Sequence, residues 1–151
     1  MGLADDVLRG DALALGRAIS LVENGAAEGR ALLDALAPRA GKALRIGLTG
    51  PPGVGKSTTV DELANLYRAR GEKVGVIAVD PTSPFTGGAL LGDRVRMTKV
   101  AEGEGVFVRS MASRGLSGGL ARATQDAADL LDASGRGVIL LETVGVGQSE
   151  I

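Results

Sequence analysis

The residues most able to do chemistry lie in the run GPPGVGKS at positions 50–57. A glycine, four residues and then Gly-Lys-Ser is the spacing of a phosphate-binding loop, where backbone N–H groups converge on phosphate oxygens. In such loops the lysine reaches the β- and γ-phosphates, and the serine hydroxyl suits Mg²⁺. The predicted nucleotide-binding residues are Gly50, Pro51, Pro52, Gly53, Val54, Gly55, Lys56, Ser57, Thr58 and, further along the chain, Gly145.

Three acidic residues could complete this site. Asp80 follows the apolar run VGVIAV, Asp93 lies in LLGDRVRM, and Glu142 ends the run VILLE. Because parallel sheets bind ligands beyond the carboxyl ends of their strands, Asp80 and Glu142 are predicted at the same edge as Lys56. The candidate metal ligands are Ser57, Asp80, Asp93 and Glu142, and the candidate catalytic residues are Lys56, Asp80 and Glu142.

Each acidic residue also has a structural interpretation. Asp80 precedes Pro81, and aspartate before proline commonly starts a turn. Asp93 stands between glycine and arginine, which is typical of a helix N-cap. Glu142 follows four apolar residues, and a carboxylate at a buried strand end needs a partner or a metal. Together with the phosphate loop, all three stay candidates for the site.

Three arginines accompany serines further along the chain, at Arg109, Arg114 and Arg122. They could hold an anion or a partner carboxylate. The preferred interpretation is that they are ordinary surface arginines.

Composition excludes several classes of protein. The chain has 151 residues, no Cys, no His, 2% aromatic residues and a net charge of −1. It therefore has no disulfide scaffold, no Cys or His metal site, and no histidine general base. The charge balance and the scarcity of aromatic residues argue against nucleic-acid binding. No apolar run is long enough for a membrane span, so we expect a cytoplasmic protein with no membrane partner.

Strands and helices alternate after an initial helical segment. Helices are predicted over 11–23 and 28–37 after a turn at 5–9, and the preferred role of this segment is to cover the sheet rather than to reach a partner. Beyond it, the pattern predicts an α/β domain with a mostly parallel sheet and flanking helices. Residues 1–42 are expected to form the helical segment and 43–151 the first part of the nucleotide-binding domain. The predicted strands are 44–49, 74–79, 106–109 and 138–142, the helices 56–70, 94–101 and 118–133, and a long loop covers 80–93.

Four separated segments resemble one protein family. They are GPPGVGKST, AVDPTSPFTGGALLGDRVRM, FVRSMASRG followed by GGLA, and ETVGVGQSE. In this order and spacing they closely resemble the methylmalonyl-CoA mutase-associated GTPases, called MeaB or ArgK, from about residue 8 to the last residue. The resemblance implies a P-loop metallochaperone GTPase that binds GTP or GDP with Mg²⁺. It also implies a partner, the adenosylcobalamin-dependent methylmalonyl-CoA mutase, whose cofactor loading and protection such proteins assist.

The resemblance also assigns roles to individual residues. Lys56 and Ser57 match the phosphate-loop pair, Asp80 and Asp93 match switch acids near Mg²⁺, and Glu142 with Gly145 matches the second switch.

Members of the family continue beyond the last residue of this sequence. The continuation carries an Asn-Lys-x-Asp motif that reads guanine and an extension that forms a homodimer, and neither occurs here. We therefore expect an incomplete domain, which dimerises where that extension is present. The alternatives are a phosphate-binding fragment without base selectivity and an ATP-dependent kinase of an amino-acid transport system.

Overall fold

The computed structural model describes residues 2–49, 56–80, 105–112 and 117–143. Within them, helices and strands alternate after three initial helices. The helices are α1 (Leu3–Leu8), α2 (Ala12–Glu23), α3 (Ala27–Leu36), α4 (Lys56–Ala69) and α5 (Ser117–Ala133), and a 3₁₀ turn covers Ala37–Arg39. The strands are β1 (Leu44–Leu48), β2 (Val74–Asp80), β3 (Val106–Ala112) and β4 (Val138–Thr143).

The four strands form one parallel sheet in the order β1-β4-β2-β3. This confirms the predicted α/β class with its parallel sheet and flanking helices. β2 lies between β4 and β3, and every residue from Val74 to Val79 is buried. Its continuous apolar sequence is what a strand covered on both faces requires.

Two apolar clusters cover the two faces of the sheet. On one face, α2, α3 and α5 share a buried cluster with residues of β2, β3 and β4 that includes Leu15, Ile19, Leu130 and Ile77. On the other face, α4 is the helix that packs on the sheet within the described residues. The buried residues of α4 and of the strands beneath it form the second cluster, which consists of Val60, Ala64, Val74, Val76, Ala78, Val138 and Leu140. The initial helices thus cover the sheet, as the preferred interpretation of that segment expects.

Short local signals explain where the helices begin and end. The Asp11 carboxylate caps α2 by accepting a hydrogen bond from the backbone N–H of Ala14 at 3.0 Å. After α5, Gly135 has a φ of 96°, a left-handed conformation that side chains disfavour. Its N–H bonds to the Asp132 carbonyl, and the N–H of Arg136 bonds to the Leu131 carbonyl. These two bonds satisfy carbonyls that the end of the helix would leave free.

The structure differs from the sequence-based expectations mainly at the end of β3. The sequence predicts that this strand ends at Arg109, but it continues to Ala112 because each added residue pairs with β2, as far as Asp80. Pairing with a neighbouring strand decides where it ends, and local sequence does not report that. The turn expected at 5–9 is the short helix α1. The predicted helix at 94–101 and the loop after Asp80 lie outside the described residues.

None of the helices in the described ranges combines the length and apolar character needed to cross a membrane.

Candidate functional site

The phosphate-loop motif lies between β1 and α4. β1 ends at Leu48, and α4 begins at Lys56, with Ser57 as its second residue and the exposed Thr58 as its third. Val60 and Ala64 bury the inner side of α4 against the sheet, which fixes where its first turn lies. The first turn of a helix has free backbone N–H groups and the positive end of the helix dipole, both suited to phosphate. Residues 50–55 lie outside the described part of the chain.

Glu142 is placed beside that motif by the order of the strands. β4 separates β1 from β2, so Glu142 is the register partner of Leu48 on one side and of Ala78 on the other. The residue is only 3% exposed. It is two residues beyond Leu140 and therefore on the α4 face of the sheet. A buried carboxylate thus lies in the strand next to the one that leads into the phosphate-loop motif.

Asp80 ends β2 and pairs in register with Ala112 of β3. It is two residues beyond Ala78, so Asp80 and Glu142 lie near the carboxyl ends of adjacent strands. The other predicted site residues, Asp93 and Gly145, lie outside the described ranges. The described residues alone contain no cluster of three or more acidic side chains placed to bind a metal ion. Of the predicted set, positions 80 and 142 thus lie near the carboxyl ends of adjacent strands, and positions 56 and 57 begin the helix that follows β1, the strand paired with β4.

The sequence analysis missed a buried carboxylate that supports β1. Both oxygens of Asp132 accept backbone N–H groups, at 2.9 Å from Gly41, 3.2 Å from Lys42 and 3.3 Å from Ala43. Arg45 adds a contact at 3.4 Å. The Asp132 side chain is only 1% exposed. It holds the segment that enters β1, and hence the strand that leads to the phosphate-loop motif.

Two opposing effects set the pKa of Asp132. Burial alone would raise the pKa, since it disfavours the charged form. The backbone N–H groups of Gly41, Lys42 and Ala43, together with Arg45, outweigh burial and lower the pKa below its ordinary value. The charged form of Asp132 is therefore favoured in the folded protein at neutral pH. No sequence signal marks it, because all its partners lie about 90 residues away in the chain.

The prediction that Arg109, Arg114 and Arg122 are ordinary surface arginines agrees with the structure only in part. Arg122 is exposed, as a surface arginine should be, and Arg114 lies outside the described residues. The surface interpretation is wrong for Arg109, whose side chain is 22% exposed. Its Nη2 donates hydrogen bonds to Ser20 Oγ and Glu23 Oε1, both at 2.9 Å. The ion pair exists because α2 packs on β3, which sequence spacing does not show.

Comparison with known proteins identifies the family of this chain. The family model described as "Methylmalonyl Co-A mutase-associated GTPase MeaB" matches residues 15–151. The chain belongs to this MeaB family.

Relatives of the MeaB-family chain are found in archaea and bacteria. A protein named as a GTPase in Pyrococcus abyssi is 54% identical over 149 residues, which is 99% of this chain and 46% of that protein. GTPase ArgK of Escherichia coli is 44% identical, over 98% of this chain and 47% of its own length. The chain spans a little under half the length of these relatives.

A crystal structure with a similar fold carries a different functional name. It is described as "Crystal structure of LAO/AO transport system kinase" and matches with a TM-score of 0.72 and 36% sequence identity. The match covers 98% of this chain and 44% of that one. The MeaB-family chain therefore shares its fold with part of a protein of known structure.

Proposed function

We propose that this chain forms the phosphate- and Mg²⁺-binding part of a GTPase that hydrolyses GTP to GDP. The observation that carries the proposal is the pairing of β1 with β4. It sets the buried Glu142 beside Leu48, two residues before the first glycine of the phosphate-loop motif. A buried carboxylate at that edge is costly unless it has a polar or metal partner. The family match supports guanine nucleotide as the ligand.

Each proposed residue has a distinct task. The backbone of residues 50–55 would surround the phosphates, and the Lys56 ammonium would neutralise charge on the β- and γ-phosphates. Ser57, Asp80, Asp93 and Glu142 are oxygen donors of the kind that Mg²⁺ prefers. The bound ion would supply charge stabilisation for the transferring phosphoryl group. Glu142 and Gly145 would orient groups around the γ-phosphate, so that positioning and charge, rather than covalent chemistry, drive hydrolysis.

The cellular role follows from the family. The family description associates MeaB proteins with methylmalonyl-CoA mutase. We propose that the protein assists cofactor loading and protection of an adenosylcobalamin-dependent methylmalonyl-CoA mutase in the cytoplasm. We also propose that it acts as a homodimer where a dimerisation extension is present. Co-purification of the mutase with the protein, dependent on added GTP or GDP, tests this role.

Lys56→Ala tests the nucleotide site directly. We expect GDP affinity, measured by titration calorimetry with Mg²⁺, to be lost, because Lys56 is the only basic residue in the first turn of α4. Lys73→Ala is the matched control, since Lys73 is an exposed lysine just before β2, outside the proposed site. Equal GDP affinity in Lys56→Ala and wild type would contradict the proposal.

A second candidate is an ATP-dependent kinase, favoured by the name of the protein in the similar crystal structure. It requires the same phosphate loop but a different base and acceptor. Parallel titrations with GDP and ADP separate the two candidates. Binding of GDP alone supports the GTPase, binding of ADP alone supports the kinase, and equal affinities support a phosphate site without base selectivity.

A further inference from the structure

The face of β3 that packs against the initial helices carries an unusual residue order. Phe107 and Met111 belong to the apolar packing on this face, and Arg109 lies between them. The Arg109 guanidinium reaches α2, where Nη2 donates to both Ser20 and Glu23 at 2.9 Å. The Arg109 and Glu23 side chains are 22% and 14% exposed, so the ion pair is largely shielded from water.

Stability alone does not account for this ion pair. Removing two charges from water costs free energy, and apolar side chains of similar size often serve a packed site equally well. The Arg109 Nε is buried without a hydrogen-bond partner in the part of the chain that the structure describes. An unsatisfied buried donor adds a further cost. Unlike apolar side chains, the directed bonds of the ion pair fix the position of β3 relative to α2.

The position of β3 relative to α2 matters because β3 ends at Ala112, the register partner of Asp80. Within the described sheet, β3 pairs only with β2, so one edge of the strand is held by backbone bonds. Arg109 is the register partner of Ile77, three residues before Asp80 meets Ala112. Arg109 thus links β3 to α2 three residues before β3 ends opposite Asp80, and α2 is itself anchored in the core through Leu15 and Ile19.

We propose that Arg109, held by Glu23 and Ser20 of α2, is a positioning residue that sets the end of β3 beside Asp80 for Mg²⁺-dependent nucleotide binding. The proposal rests on the nucleotide site proposed above. It gives the initial helices a part in that site, because the position of α2 would then influence the position of the strand end beside Asp80, the proposed metal ligand. Such coupling is reciprocal, so nucleotide with Mg²⁺ should also strengthen the contact of α2 with β3.

The test replaces both charged partners together, by Arg109→Met with Glu23→Leu. This double variant keeps apolar bulk and leaves no unpaired buried charge. GDP affinity is measured once with Mg²⁺ and once with EDTA. We expect the dissociation constant with Mg²⁺ to rise about fivefold or more, the lower end of typical coupling between sites. With EDTA, where the phosphate loop alone binds GDP, we expect no change.

A core variant separates positioning from loss of stability. Val7→Ala removes buried volume from α1 in the same apolar cluster and leaves Arg109, Ser20 and Glu23 unchanged. It should lower the melting temperature and leave GDP affinity unchanged under both conditions. Arg109→Lys keeps the charge but shortens the side chain and removes the planar guanidinium, so it should show a smaller loss that again appears only with Mg²⁺. If the double variant does not unfold cooperatively, Arg109→Lys alone decides.

The outcomes distinguish the two proposals. Wild-type protein that does not bind GDP would overturn the proposed function and this inference with it. Wild-type binding with unchanged Mg²⁺-dependent affinity in the Arg109 variants would overturn only the positioning role. An equal loss of affinity with Mg²⁺ and with EDTA would also overturn it, because that pattern indicates general damage to the phosphate site.

Discussion

Glu142 and Leu48 are register partners on adjacent parallel strands. Leu48 ends the strand that leads into the phosphate-loop motif, and Glu142 lies at the carboxyl end of the next strand. Parallel sheets bind their ligands at this edge because the loops that follow the strands converge there. The pairing of β1 with β4 thus places Glu142 next to the strand that leads into the predicted phosphate site.

Glu142→Gln should therefore reduce GTP hydrolysis while preserving the fold. We expect the rate to fall by about 100-fold, a typical loss when a group acting directly on the reaction is replaced. We expect the fold to be kept and thermal unfolding to stay cooperative, because the amide has nearly the same size and shape as the carboxylate. Single-turnover hydrolysis and thermal unfolding measure the two effects.

Glu62→Gln supplies the control for Glu142→Gln. Glu62 is an exposed residue of α4, and its amide variant should hydrolyse GTP at the wild-type rate. Wild-type hydrolysis in Glu142→Gln would show that the buried carboxylate has no part in the reaction.

Asp132→Asn should destabilise the protein in a pH-dependent way. The folded state lowers the pKa of Asp132, so its charged form stabilises the protein above the unfolded pKa of about 3.9. That contribution disappears as the pH falls through the lower folded-state pKa. At pH 7 we expect a loss of about 2–4 kcal/mol, since the amide can accept fewer of the N–H groups and leaves others buried. Urea unfolding from pH 7 to pH 3 should show the difference from wild type shrinking below about pH 4.

Asp129→Asn is the matched control for Asp132→Asn. Asp129 contacts the same arginine, Arg45, at 2.7 Å, but its side chain is 44% exposed. Exposed pairs of this kind contribute only about 0–1 kcal/mol. Equal losses in the two variants at pH 7 would mean that the backbone contacts of Asp132 add nothing.

Local sequence predicts the motif-bearing part of the proposed site but not the residues that support it. The spacing of Gly50, Lys56 and Ser57 predicts a phosphate loop, and the apolar run before Glu142 predicts a buried strand end. Both signals lie within a few residues. Asp132 and Arg109 act through partners 86 to 91 residues away, which only packing brings together. The end of β3 was missed for the same reason, because its last residues are strand only through pairing with β2.

Gly29→Ala should destabilise the contact between α2 and α3. A Cβ atom at position 29 would lie 2.8 Å from the backbone carbon of Leu21 and 2.9 Å from the nitrogen of Val22. Backbone atoms cannot rotate away as a side chain can, so the two helices must separate. We expect a loss of about 1–3 kcal/mol, the usual cost of overpacking. Gly16→Ala is the control, because no atom lies within 4 Å of its added Cβ.

The two glycine variants should change stability in opposite directions. Alanine at position 16 favours the helix by up to about 1 kcal/mol, so thermal unfolding should occur at a higher temperature. Stabilisation by both substitutions would show that α2 and α3 are not in close contact at Gly29.

Arg136 should tolerate methionine better than lysine. It is 7% exposed, and its Nη1 donates to the Gly10 carbonyl at 3.2 Å and to Ser134 Oγ at 3.1 Å. Its Cζ lies 5.8 Å from the centre of the Phe107 ring, and no acidic residue among those described pairs with it. Burial accordingly lowers the pKa of Arg136.

The physical reason lies in the cost of burying each charge. The lysine ammonium is more strongly hydrated than guanidinium and is carried on a shorter side chain, so Arg136→Lys keeps the desolvation cost and loses contacts. Methionine fills much of the same volume and buries no charge. We expect Arg136→Met to be about 1 kcal/mol more stable than Arg136→Lys in urea unfolding at pH 7. A lysine variant more stable than the methionine variant would show that a cation at this position stabilises the turn at Gly10 by more than its burial costs.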